Sequence, residues 1–314
     1  MGNEPNAKVS FSVDDSSVTA VAVTRNPNDD STIFPDIWPN SKGSKGEHAV
    51  GQSGYVYVTV PNNVNGNAVT VTFDNLQNSS YLGHKISKIV TVFHDLVVDG
   101  GSNHRIAISN NPYYGIFVVG VTNTGVKRYY YDEKGNRITF NDGEDGGGAW
   151  LTAGSLNAGS GRTEEAQLTS SGKAYGFYGS TVTVHNNNLI YSDHVNEPGA
   201  DLTPAGKTGF GDGTLAPGLN QENKWWDTDQ GLNDPNAYMG AGVFHVTGDY
   251  TDVNFTVTSS YNQFNSWFTL STLIPQDGFK ITPPTNTVHY HFDVRTKLPL
   301  FKDDYPAFVS ESKF

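Results

Sequence analysis

The chain has 314 residues and a formal charge of −12, from 20 Lys and Arg against 32 Asp and Glu. Aromatic residues make up 12% and charged residues only 17%, a supply of rings large enough for a sizeable core, which excludes wholesale disorder. There is no cysteine, so disulfide scaffolds, thiolate metal sites and cysteine nucleophiles are excluded, and no apolar run approaches the ~20 residues of a spanning helix, so no membrane insertion is expected.

Along the chain the dominant hydrophobic period is two. Strands are predicted over residues 55–60, 69–73, 86–98, 105–109, 115–121, 128–132, 181–185, 242–247, 253–258, 267–273 and 288–294, each a short β-branched or aromatic run. Asn65-Gly66, Asp99-Gly100, Asp142-Gly143, Asp212-Gly213 and Asp277-Gly278 punctuate them, since Asn or Asp before Gly suits the positive φ of tight hairpins. One short helix is predicted over 163–168, opened by Thr163-Glu164-Glu165. Residues 26–54 and 196–240 lack the pattern and read as long loops, the second ordered by its aromatic content. Many strands with almost no helix predict an all-β sandwich or barrel. Sandwiches routinely use this length as one unit, so a single domain is expected over 1–295 and a polar tail over 296–314.

Composition also bears on the compartment. A large, acidic, cysteine-free, β-rich chain fits a Gram-positive surface protein at least as well as a cytosolic enzyme. The opening Met1-Gly2-Asn3 has neither the basic nor the apolar region of a signal peptide, so a piece of a longer protein is expected.

Several motifs carry possible chemistry. Residues 201–208, DLTPAGKT, end like a phosphate-binding loop but put Asp201 where glycine is needed. Ser170-Ser171-Gly172-Lys173, Ser192-Asp193-His194 and Lys207-Thr208-Gly209 echo serine β-lactamase motifs, yet crowd into one β-rich segment, so chance assembly is the simpler account. His289, His291 and Asp293 would share a strand face and could ligate zinc; a strand with Tyr290 and Phe292 facing the core explains the same alternation without metal. Asp142, Glu144 and Asp145 concentrate oxygen ligands on a glycine-rich loop that could hold Ca²⁺, or simply form a solvated turn. Asp227 and Asp229 are equal contenders for such a cation.

Two motifs suit binding of a polymer. Trp225 and Trp226 beside Asp227 and Asp229, ahead of Tyr238, resemble a sugar platform, where rings stack and carboxylates accept hydroxyl bonds; alternatively the tryptophans plug the sandwich end. Lys127, Arg128, Lys134 and Arg137 surround Tyr129–Tyr131 in a predicted hairpin, a combination of cations and rings that fits a polyanion, although Asp132 and Glu133 also fit an ordinary solvated hairpin.

An ordered set of segments resembles a family. Residues 73–81, FDNLQNSSY, with 83–90, GHKISKIV, resemble a block of streptococcal surface adhesins. Residues 129–140 resemble their hairpin, 153–157 (AGSLN) a turn, 238–242 (YMGAG) a strand start, and 288–292 (VHYHF) a closing segment. On these residues the chain is similar to the antigen I/II and glucan-binding protein C group, within which it looks nearest to the aggregation substances of enterococci. The resemblance implies a large lectin-like β-supersandwich with long loops forming a cleft at one end, held on a Gram-positive cell wall by an anchor outside this piece. It also implies extracellular DNA, lipoteichoic acid, glucans or host glycoproteins as partners.

The expected cleft gathers Trp225, Trp226, Asp227, Asp229, Tyr238 and Asn157 of the 153–157 turn; a polyanion would add Lys127, Arg128, Lys134 and Arg137. No cofactor is required, and no enzymatic activity is expected. Three alternatives stay open: a carbohydrate-binding module, a glycan-processing enzyme using carboxyls such as Asp227, Asp229 and Asp234, and a spacer with a vestigial cleft.

Overall fold

The computed structural model describes residues 2–24, 54–142, 149–159, 161–196, 236–262, 264–271 and 281–282. The first half holds β1 (Lys8–Val13), β2 (Thr19–Thr24), β3 (Gly54–Thr59), β4 (Val64–Asp74), the two-residue β5 (Ser80–Tyr81) and β6 (His84–Lys85), β7 (Lys88–Val98), β8 (Arg105–Ser109), β9 (Ile116–Val119) and β10 (Val121–Tyr131). The second holds β11 (Ala149–Gly154), β12 (Ala158–Gly159), β13 (Arg162–Leu168), β14 (Gly172–Phe177), β15 (Val182–Val184), β16 (Leu189–Ser192), β17 (Gly242–Val246), β18 (Thr251–Ser259), β19 (Asn265–Ser271) and β20 (Ile281–Thr282).

These strands pair antiparallel into two nine-stranded sheets. The first runs β1-β4-β7-β10-β18-β13-β16-β15, with β12 beside β13, and the second runs β2-β3-β8-β9-β19-β11-β17-β14-β20. The fold is therefore all-β, as the alternation predicts. Side chains on the inner faces meet in one continuous core: Phe93 and Phe255 come from the first sheet, Ile106, Phe244 and Phe268 from the second. The Phe255 and Phe268 rings stack across the gap with centroids 4.6 Å apart. Burying each such side chain contributes about 1.5–3 kcal/mol.

Consecutive strands mostly lie in opposite sheets, and this corrects the reading of several turn signals. Asp99-Gly100 leads from β7 in the first sheet to β8 in the second and closes no hairpin. Asn65-Gly66 lies inside β4, where the register with β7 shifts between Val64 and Asn67 and Gly66 takes φ +84°. It is a bulge. The helix predicted over 163–168 is strand β13, paired with β18 from Arg162↔Ser259 to Leu168↔Val253. Long-range pairing outweighs the weak local propensity of Thr-Glu-Glu. The predicted 288–294 strand, the 296–314 tail and the Asp212-Gly213 and Asp277-Gly278 turns lie outside the described residues.

Strand β19 is a seam in the second sheet. It pairs with β9 over Asn265–Phe268 and with β11 over Thr269–Ser271, so a neighbour is lost on each side in turn. Arginines from the first sheet reach across to carbonyls on either side of this switch: Arg162 Nη1 donates to Asn265 O at 2.8 Å, Arg128 Nη1 to Leu270 O at 2.7 Å. A buried carbonyl left without a donor would cost about 1–3 kcal/mol, which explains why long cations enter an otherwise apolar interior.

Candidate functional site

Among the described residues, Asn157 and the 127–137 hairpin lie at opposite ends of the first sheet. Over the nine residues of β18 those ends are about 27 Å apart, at ~3.4 Å per step.

At the end where β13 begins, the 153–159 segment turns through Ser155 in the left-handed region at φ +60°. That turn aims Asn157 at the interior. The Asn157 N–H and Nδ2 donate to Glu164 Oε2 at 3.0 and 3.2 Å, and Arg162 Nε lies 3.3 Å from Glu164 Oε1. Asn196 Oδ1 accepts from the Ala158 N–H at 2.7 Å, while its Nδ2 donates to Leu156 O and Thr181 Oγ1 at 2.9 and 3.0 Å. Thr181 in turn holds the Met239 carbonyl at 2.6 Å through Oγ1. Asn157, Glu164 and Asn196 are buried. This network ties the turn, β13 and the 237–240 helical turn into one rigid base.

Tyr238 stands half-buried on that base, packed with Trp150 and Tyr175 against Phe177, Ala241 and Val243. Asn157 and Tyr238 thus lie at one end, with Asn157 as framework beneath. Trp225, Trp226, Asp227, Asp229 and Asp234 lie outside the described residues, as do Glu144, Asp145, His289, His291 and Asp293. Asp142 is exposed, with Oδ1 3.8 Å from His245 Nδ1. Burial holds the His245 imidazole below its ordinary range. Among the described residues no three His, Asp or Glu side chains cluster as a metal site.

The opposite end carries the hairpin. Strand alternation puts Lys127, Tyr129 and Tyr131 of β10 on the outer face and Arg128 and Tyr130 on the inner one. Arg128 is accordingly buried and bonded to Leu270 O, and burial lowers its pKa. It is not part of a surface patch, a correction that the period-two spacing itself explains. The tight turn after β10 is built by Asp132, whose Oδ1 accepts from the Lys134 and Asn136 N–H groups at 2.9 and 2.8 Å, with Gly135 at φ +81°. Lys134 is exposed on this turn. Arg137 returns over the sheet, its guanidinium 4.5 Å from the Tyr129 ring centroid and 5.9 Å from that of Tyr131.

Neighbouring strands extend the row. Lys88 of β7 lies 4.5 Å over Tyr131, and Lys127 lies 5.4 Å from the ring of Tyr250, which itself packs against Tyr129 at 5.8 Å. Cations so placed are attracted to the ring faces and spread across the sheet. Nearby carboxylates are engaged locally: Glu133 with Lys85 at 3.4 Å, Asp249 with Thr139 Oγ1 at 2.6 Å, Asp252 with Lys127 at 3.2 Å. Among the described residues Lys88, Lys134 and Arg137 form no ion pair. Sequence reasoning missed Lys88, Tyr250 and Asp252, because register alone brings β7 and β18 beside β10. The signal available was alternation along 88–92, which puts Lys88 on the outer face.

One more buried group lies on this sheet. Desolvation raises the Glu165 carboxyl to about 6, opposed by the bond from Thr258 Oγ1 at 3.2 Å.

Among the described residues no helix is long and apolar enough to cross a membrane. The family model of glucan-binding protein C matches residues 1–271. The adhesin domain of PrgB from Enterococcus faecalis, solved bound to DNA, is 19% identical, with a TM-score of 0.54 over 84% of this chain and 94% of that one. Glucan-binding protein C of Streptococcus mutans, described as mediating both sucrose-independent and sucrose-dependent adherence, is 20% identical, with a TM-score of 0.58 over 91% and 80%. Both share this chain's fold. With the family match spanning most of its length, the chain belongs to the glucan-binding protein C family.

Proposed function

We propose that this domain is a non-enzymatic adhesin that holds an extracellular polyanion, DNA or lipoteichoic acid, outside a Gram-positive cell to whose wall the whole protein is anchored. Binding of such a polymer by many copies would promote cell aggregation, biofilm formation and mating contacts. The observation that carries this reading is the row of Lys88, Arg137 and Lys127 laid over Tyr131, Tyr129 and Tyr250, with Lys134 at its rim. The global charge of −12 does not oppose it, because screening over ~10 Å makes a local cationic row the field a bound phosphate feels.

The test is a binding titration of the purified chain against fluorescein-labelled double-stranded DNA, lipoteichoic acid and dextran over a salt series. Each neutralised phosphate steepens log K against log salt by about 0.9. The expected result is steep salt dependence for the first two ligands, reduced in Lys88→Gln and Arg137→Gln. Binding unaffected by salt and by these substitutions would overturn it. A second reading, a module for glucans or host glycoproteins, draws on the family's name and on the rigid base under Tyr238. Dextran binding indifferent to Lys88 and Arg137 would favour that one, and sugar release from cell-wall glycans would overturn the non-enzymatic reading.

A further inference from the structure

A charged cluster adjoins the cationic row. His94 of β7 lies on the outer face across Gly125 of β10: a Cβ on Gly125 would sit 2.5 Å from His94 Cε1, so only glycine leaves room for the ring. There the imidazole is clamped at both nitrogens. Nε2 is 2.9 Å from Asp252 Oδ1 of β18, and Nδ1 is 2.9 Å from Asp95 Oδ2 of its own strand. Asp252 also takes Lys127 Nζ through its other oxygen at 3.2 Å. From β4 the groups at this site are Asn67, opposite His94 in register, and the Gly66 N–H, which donates to Asp95 at 2.7 Å; neither is charged.

We infer that Asp252 is a built-in competitor for the polymer's phosphates, and that protonation of His94 releases Lys127 from it, so that polyanion binding tightens as the medium acidifies. The inference rests on the polyanion reading above. A ring facing carboxylates on both sides donates to both only as imidazolium. In that form His94 and Lys127 balance Asp95 and Asp252, and the cluster is neutral. When the ring loses its proton the cluster carries one net negative charge, and Lys127 is the sole remaining cation for Asp252. A phosphate arriving at the row then meets both repulsion and an occupied lysine. The bond to Asp252 is the largest influence on the ring and raises its pKa, with burial opposing and Asp95 assisting, so the change falls above the ordinary histidine range. The acid form is the one in which Asp252 has His94 as well as Lys127 for a cationic partner.

Linkage supplies a test on the unmodified protein. The ligand that prefers the protonated state must raise the pKa of His94 by the same factor that the proton improves its binding. The measurements are the histidine Hε1 titration by NMR, with and without a saturating 20-base-pair DNA, and DNA binding by fluorescence anisotropy from pH 5.5 to 8.5 at fixed ionic strength. Expected are an upward shift of the His94 midpoint on DNA binding and binding about two- to fivefold tighter at the acid end, the scale of one exposed ion pair. His94→Gln should abolish the pH dependence while retaining the salt dependence. Lys127→Met should weaken binding and remove most of the midpoint shift. Salt-dependent binding with a stationary His94 midpoint would overturn this inference and leave the polyanion reading standing. No binding of DNA or of lipoteichoic acid at any pH would overturn both.

Discussion

At one end of the first sheet, Arg162 and Glu164 sit between the sheets with their charges 3.3 Å apart, Glu164 Oε2 accepting from Asn157 and Arg162 Nη1 donating to the Asn265 carbonyl. At the other end, Lys88 and Arg137 lie on tyrosine rings at the surface with no ion-pair partner among the described residues. The difference is one of desolvation. A charge taken between the sheets is spent on the groups around it, a carboxylate for Arg162 and a backbone carbonyl for Arg128, so it fixes geometry. A charge resting on an exposed ring loses little water and keeps its field for a ligand. Arg128 shows the same division within one strand: it is one residue from Lys127, yet it belongs to the interior.

The comparison can be broken by substitution. Glu164→Ala removes the acceptor for Asn157 and the partner of Arg162, and should cost about 3–5 kcal/mol in urea unfolding. Arg128→Met should cost about 1–3 kcal/mol, because the buried Leu270 carbonyl loses its donor, and should leave DNA affinity unchanged. A loss of affinity without loss of stability would return Arg128 to the binding face. Gly125→Ala forces the His94 ring off Asp252 and should cost about 1–3 kcal/mol, as overpacking does, while flattening the pH profile of binding. Arg137→Ala should change stability by less than about 0.5 kcal/mol and reduce the salt slope for DNA by about 0.9.

Acid–base behaviour sharpens the same contrast. The folded pKa of His94 is raised, so its contribution to stability is complete below the ordinary histidine value and is lost as pH rises through the raised one. For Asp252, burial pushes the carboxyl up, but His94 and Lys127 together outweigh it and leave the pKa lowered. Its contribution is therefore present above the ordinary aspartate value and disappears as pH falls through the lowered one. Thermal unfolding across pH 6–9 should show a decline in wild type that is absent from His94→Gln.

Particular residues show how far the sequence could be read. The runs at 69–73 and 253–258 alternate cleanly and fall within β4 and β18. Thr163–Leu168 could not be read as a strand, because its only local signal was a polar helix start, while its strand character comes from β16 and β18 on either side. Asn65-Gly66 carries the chemistry of positive φ, and Gly66 does adopt it. Whether such a pair turns a hairpin or makes a bulge depends on the partner strand, which is nowhere near in sequence. At the candidate site the hairpin and its tyrosines were legible; Lys88, Tyr250, His94 and Asp252 were not, because four strands from distant parts of the chain had to be registered first.

By itself the sequence determined the period-two pattern, hence an all-β chain with alternate residues on opposite faces, because side-chain direction along a strand is a local property. It also supplied the cations, rings and acids from which a binding face could be made. Only the tertiary structure decided which strands lie side by side, and so that Arg128 serves the β19 seam, that Lys127 shares Asp252 with His94, and that Arg137 lies across two tyrosines. Those pairings are long-range, and the free energy that selects them comes from closing two sheets over one core.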